Sequence, residues 1–172
     1  MKKLICLMLC LLIPVSLSGC KKSDSNEVKH DTNIKKYVNK GSVPEAAFSL
    51  GDTAPEEDKD SEEYYFLSDS KQKYISSSDG GFYYFYSSDD TREITAIAAL
   101  ADCYGFDHDT VSIEITKVLD AQGIKYEKRA QRSGELSFLP NAPDRDIVEC
   151  TGLDHTLVFV FDNNSLCAAY LY

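Results

Sequence analysis

The residue types best suited to nucleophilic or metal chemistry are scarce and scattered. Six cysteines and three histidines are present in 172 residues. Cys103, Cys150 and Cys167 form no CxxC pair, so a zinc site is not expected of them. An odd count is poor material for a disulfide framework, and the three read as small buried hydrophobes. His30, His108 and His155 show no HxxxH spacing. Cys103 and His108 could be drawn as nucleophile and base, but they stand five residues apart across an expected strand-to-helix turn. That spacing favours a structural cysteine. The acidic run "DTAPEEDKDSEE" places Asp58, Asp60 and Glu62 alternately, like the start of a calcium loop. The glycine such a loop needs at its sixth position is Glu63 here, so a solvated acidic face is expected instead. No GxSxG, phosphate loop or dinucleotide fingerprint occurs. The sequence therefore reads as non-enzymatic, with no cofactor and no metal.

The remaining cysteine has a different reading. "MKKLICLMLCLLIPVSLSGC" has Lys2 and Lys3, an apolar stretch from Leu4 to Val15, and then small residues before Cys20. That order describes a secretory signal. Ending on "LSGC", it resembles a bacterial lipobox, which implies cleavage before Cys20 and a lipid on its thiol. The expected organisation starts with a lipoprotein signal peptide at 1–19 and a flexible polar tether at 20–31. The acyl chains at Cys20 would hold the protein at the cell membrane, facing the extracytoplasmic side.

Charge follows that division. Residues 20–41 carry six Lys against three acidic residues, a net of +3. Residues 42–172 carry ten Lys and Arg against 25 Asp and Glu, a net of −15. A basic tether suits an anionic membrane surface. An acidic body argues against nucleic acid as a partner.

Behind the tether, "DTNIKKYVNKG" places Ile34, Tyr37 and Val38 on one helical face, with Gly41 as the stop. A second helix is expected after Thr53, across 54–63, though it has almost no apolar stripe. Strand-like runs follow near 73–77, 81–87 and 93–101. Val111, Ile115, Val118 and Leu119 then fall at helical spacing behind "HDT", and Gly123 closes that helix. Strands return at 124–128, 146–151, 156–162 and 166–172, with "DNNS" as a tight turn between the last two.

This order runs twice. "GDTAPEE" corresponds to "HDTVSIE", and "FYYFYSSDDTREITAIAAL" corresponds to "LVFVFDNNSLCAAYLY" with a shorter turn. The expected fold class is α+β: two tandem repeats, 32–105 and 106–172, each a helix plus an antiparallel meander. One repeat alone has too small a core, so the two should share a sheet with the helices on one face.

The five aromatics Phe82 to Tyr86 are then read by alternation. With "SSDDTR" as the loop, Tyr86 lies opposite Glu93 and Phe85 opposite Ile94. One face carries Tyr83, Phe85, Ile94, Ala96 and Ala98 and is expected under the helices. In the second half, Phe161 faces Leu166 and Phe159 faces Ala168 on that packed side, leaving Val158, Val160 and Cys167 on the other. The other face would be open and rich in tyrosine, with Tyr74, Phe82, Tyr84 and Tyr86 as partner-binding residues. Tyrosine offers large contact area and a hydroxyl at low entropic cost.

Lipobox, short helix ending in Gly41, "VPEAAFSLGDT", strands, and a second Thr-capped helix with strands resemble small Gram-positive envelope lipoproteins. Those look like tandem β-lactamase-inhibitor-protein-like (BLIP-like) α/β repeats. The resemblance spans about residues 32–172 and departs at 54–63, where the apolar helix face is missing. It implies a protein-binding sheet without catalysis. No inhibitory residue matches position by position, so enzyme inhibition is not implied. The function expected is a membrane-anchored lipoprotein that binds another protein. The alternative is one that binds a small ligand or cell-wall component beside a transporter or enzyme.

Overall fold

The computed structural model describes residues 32–56, 73–87, 90–100, 102–132 and 145–172. The expected signal peptide, Cys20, the tether and the acidic residues Asp58 to Glu63 lie outside them. Residues 54–56, where the first-half helix was expected to begin, have no regular structure.

Nine elements are described. They are α1 (Ile34–Val38), β1 (Lys73–Ser76), β2 (Phe82–Tyr86), β3 (Ile94–Ala99), α2 (Ser112–Ala121), β4 (Lys125–Ala130), β5 (Asp146–Thr151), β6 (Leu157–Asp162) and β7 (Ser165–Leu171). The strands form one antiparallel sheet in the order β1-β2-β3-β7-β6-β5-β4. The fold is α+β, with few helices against a large sheet.

Side-chain chemistry explains the hairpins. The strands are aromatic or β-branched runs that fit a pleated, half-buried surface. At β6–β7, Asp162 pairs with Ser165, and Asn163 and Asn164 both take positive φ (49° and 68°). That is the I′ geometry whose twist matches the strands, and Asn tolerates it. At β2–β3 the connection is longer, with Ser87 N–H donating to Glu93 O at 2.9 Å.

Each of these hairpins carries a β-bulge. Tyr86 pairs with Ile94 but Phe85 with Ala96, leaving Thr95 as the extra residue. Phe161 pairs with Leu166 but Val160 with Ala168, leaving Cys167 extra. A bulge resets alternation on its strand. So Ile94, Ile97 and Ala99 share one face while Ala96 and Ala98 share the other. The two hairpins meet at β3–β7, where Ile97 pairs with Leu171, Ala98 with Tyr170 and Ala99 with Ala169.

Both helices pack on the same face of the sheet. Ile34 and Val38 of α1 and Ile115 and Leu119 of α2 join Tyr84, Tyr86, Ile97, Phe159 and Phe161 in one core. Asn33 caps α1 by accepting from Lys36 N–H at 2.9 Å. Gln122, at the end of α2, accepts from Ile34 N–H and donates to Thr32 O, both at 2.9 Å. One side chain thus joins the two helices. The expected Thr110 cap is displaced by one position. Val111 occupies the cap without a side-chain bond, while Thr110 hydrogen-bonds Asp107.

Candidate contact surface

The aromatic run of β2 is divided between the two faces in the opposite sense to the expectation. Phe82, Tyr84 and Tyr86 are 7, 1 and 2 % exposed and belong to the helix-side core. They do not line an open surface. Tyr83 and Phe85 lie on the face away from the helices. The physical reason is a single residue of register. Ser87, not Tyr86, stands opposite Glu93, so Tyr86 meets Ile94, and a one-residue slip exchanges the faces. The bulge at Thr95 then sends Ala96 and Ala98 away from the helices as well. In the second half Phe159, Phe161 and Leu166 are on the helix side, and Val158, Val160 and Cys167 on the other, as expected. Ala168 is the exception: it pairs with Val160 beyond the bulge.

The buried tyrosines are built into the structure by their hydroxyls. Tyr84 OH accepts from Ala47 N–H at 2.8 Å, and the Phe48 ring stands edge-on to it at 5.1 Å. These contacts pin the 41–51 loop over the sheet. Gly41 closes that loop with φ +67°, and a Cβ there would come within 2.9 Å of Leu50 Cβ. Burial pushes the Tyr84 phenol above its usual value. Tyr104 OH donates to Ser42 O at 3.2 Å from the other side.

The face away from the helices is also apolar through its centre. Phe85, Ala98, Ile147, Val158, Val160, Ala168 and Tyr170 are buried there. This too departs from the open face expected. An antiparallel sheet with one helix layer commonly has a polar, solvated second face, whereas the apolar side chains here are buried. At the β1–β2 end, Tyr74 and Tyr83 are half-buried, with ring centroids 5.6 Å apart, and Tyr74 also meets Phe85 at 6.0 Å. Of the four residues expected to bind a partner, Tyr74 alone is on this face. Tyr83 was missed. The ungapped match of "FYYFY" to "LVFVF" pairs Tyr83 with Val158 and carried the signal for it.

At the β4–β5 end the same face becomes charged. Arg129 Nη2 meets Glu149 Oε2 at 2.6 Å, and Arg145 Nη2 lies 4.0 Å from Asp162 Oδ2. The first pair is partly buried and is worth on the order of 1 kcal/mol.

The cysteines are poor nucleophiles. Burial pushes the Cys103 and Cys150 thiols up to about 12, so neither supplies thiolate near neutral pH. His108 is exposed, with Nδ1 3.4 Å from Leu166 O. His155 is half-buried beside Gly41. Among the described residues, no three His, Cys, Asp or Glu side chains stand close enough to hold a metal ion.

Compared with protein-family models, curated proteins and solved structures, the chain matches none.

Proposed function

We propose that this protein is a lipid-anchored envelope protein that works by binding another protein. Cys20 would hold it at the extracytoplasmic side of the cell membrane, and the body would catalyse no reaction. The observation that carries the binding reading is the second apolar face of the sheet. The helices do not need it, and it runs from the core out to the half-buried rings of Tyr74 and Tyr83. The side chains at its centre are buried, so what it offers a partner is the half-buried Tyr74–Tyr83 end, where rings supply contact area and hydroxyls. The contact is therefore assigned to the Tyr74–Tyr83 edge in place of Phe82, Tyr84 and Tyr86. The thiol of Cys103, pushed up to about 12 by burial, weighs against the one nucleophile the sequence offers.

The body is further read as two tandem helix-and-meander repeats of the BLIP-like kind. Setting Ile94 on Leu166 also sets Ala98 on Tyr170, and those two residues face one another across β3–β7. The sheet then has a local two-fold relation about that pair. Two isolated bridges support the same alignment, Thr53 to Glu93 and Val111 to Ser165.

Two experiments test the reading. Metabolic labelling with a fatty-acid analogue should tag the wild-type chain and not Cys20→Ala; a wild-type chain that takes up no label refutes the lipid anchor. Crosslinking in intact envelopes should capture a protein that Tyr74→Ser and Tyr83→Ser lose while keeping the wild-type melting temperature within a few degrees. Capture unchanged in both variants refutes the assigned edge.

A further inference from the structure

One cluster on the face away from the helices has polar atoms that meet no partner among the described residues. Gln131 extends β4 by one residue and Arg145 precedes β5 by one, joined by Gln131 N–H donating to Arg145 O at 2.7 Å. Side-chain alternation puts Arg145 on the face of Ile147, and the cross-strand neighbour Gln131 beside it. Gln131 is 8 % exposed, and its Oε1 is buried without a donor among the described residues. The Arg145 side chain is 15 % exposed, and its Nε and Nη1 are buried without an acceptor among the described residues. Its only ion pair among the described residues is the long one to Asp162.

Buried polar groups in folded proteins are nearly always paired, and leaving them unpaired is costly. Three such atoms on adjacent side chains break that rule together. Sites that violate it are expected where a ligand completes the bonding. The chemistry of the missing ligand follows from the atoms. Two guanidinium N–H groups require an acceptor, and a charged one is strongest. The Gln131 carbonyl requires a donor. A bare anion satisfies the arginine alone. The net charge of −15 on residues 42–172 also disfavours multiply charged anions.

We propose that Arg145 and Gln131 form a binding site for a single carboxylate flanked by an amide N–H. An acylated amino acid and a free peptide C-terminus both present this pair. Both side chains turn outward from their buried positions, so that the carboxylate accepts from Arg145 and the amide N–H donates to Gln131 Oε1. This goes beyond the protein-binding reading and does not depend on the Tyr74–Tyr83 edge, so either can fail alone.

The test is calorimetric titration of the full lipidated chain in detergent micelles. The probes are N-acetylglycine, a short tripeptide with a free C-terminus, and the same tripeptide amidated. The free tripeptide should bind saturably, and amidation or Arg145→Met should each weaken binding by at least about tenfold, as expected for a charge-assisted hydrogen bond. Gln131→Leu should weaken it several-fold. Arg145→Met should melt no lower than wild type, because it removes unpaired buried donors. If that variant fails to fold, Gln131→Leu decides. N-acetylglycine binding as tightly as the tripeptide assigns the site to one acylated residue, and weaker binding assigns it to a peptide terminus. No saturable binding of either carboxylate at millimolar concentration, or equal binding of the amidated peptide, overturns the proposal.

Discussion

The β2–β3 and β6–β7 hairpins have the same frame filled with different chemistry. In each, a large ring at the strand end meets a branched aliphatic residue: Tyr86 with Ile94, and Phe161 with Leu166. In each, the next residue along the returning strand is the bulge. The inner faces differ in polarity. Tyr84 and Tyr86 carry hydroxyls into the core, where Phe159 and Phe161 carry none. The hydroxyl of Tyr84 has a use, since it holds the 41–51 loop. The connections differ too: a two-residue turn in one hairpin, a longer loop in the other. The frame is therefore fixed by which residues pair at the mouth of the hairpin. The identity of the side chains then decides what that frame holds down.

The sharpest way to break this comparison is to empty the two central ring sites. Phe159 is fully buried against Tyr104 and Phe106, with ring centroids at 6.1 and 5.6 Å. Tyr84 occupies the corresponding place. Phe159→Ala and Tyr84→Ala should each cost about 3–5 kcal/mol, a large share of the stability of a domain this size. Urea unfolding reads both. A loss below about 1 kcal/mol in either would mean that its ring is not in the core.

The turns should respond next. Asn164→Val puts a β-branched residue at φ 68° and should cost about 1–2 kcal/mol. One glycine inserted between Asn163 and Asn164 should likewise destabilise, because it destroys the I′ geometry. One glycine inserted next to Asp90 should cost less than about 0.6 kcal/mol, since lengthening an existing loop adds little closure entropy. Equal melting shifts for the two insertions would refute the distinction between the connections.

The same contrast explains what could be read from the sequence. The β6–β7 register was legible because "DNNS" names its own turn, and alternation then carries Phe161, Phe159, Val160 and Val158 to their correct faces. The β2–β3 register was not. "SSDDTR" has no residue that fixes where pairing starts, and starting it one residue away exchanged the faces of Phe82, Tyr84 and Tyr86. Neither bulge is signalled by composition, so Ala168 was misplaced even in the well-marked hairpin. The strand runs themselves, α1 and the apolar stripe of α2 were legible as periodicity. The Arg145–Gln131 cluster was invisible, because two polar residues 14 apart in sequence carry no period and meet only through the β4–β5 pairing.

A smaller effect separates the two rings by their hydroxyl. Tyr84→Phe makes β2 resemble β6, and leaves Ala47 N–H without its acceptor. The expected cost is about 1 kcal/mol near neutral pH. Burial raises the folded-state pKa of Tyr84 above the ordinary value of 10.0. The contribution of the neutral phenol is therefore complete below pH 10 and is lost as pH rises through the folded value. The stability gap between wild type and Tyr84→Phe should narrow above pH 10. A gap that widens there would contradict the buried, hydrogen-bonded phenol.

The smallest effect concerns the bulges themselves. Thr95 and Cys167 are the extra residues at matching places, and Thr95 shows that a β-branched polar residue is accepted there. Cys167 is half-buried, so Cys167→Thr should change stability by no more than about 0.5 kcal/mol. A thiol reagent gives a second readout. Cys103 and Cys150 are buried, with thiols at about 12, and should not react in the folded chain. Cys167 should react slowly, because burial raises its thiol while Arg145 beside it pulls the other way. The variant should therefore lose the reactive thiol of the folded body and keep its melting temperature. A loss of stability above about 1 kcal/mol would mean that the two bulges hold their extra residues in different surroundings, and the correspondence between the hairpins would stop at the residues that pair.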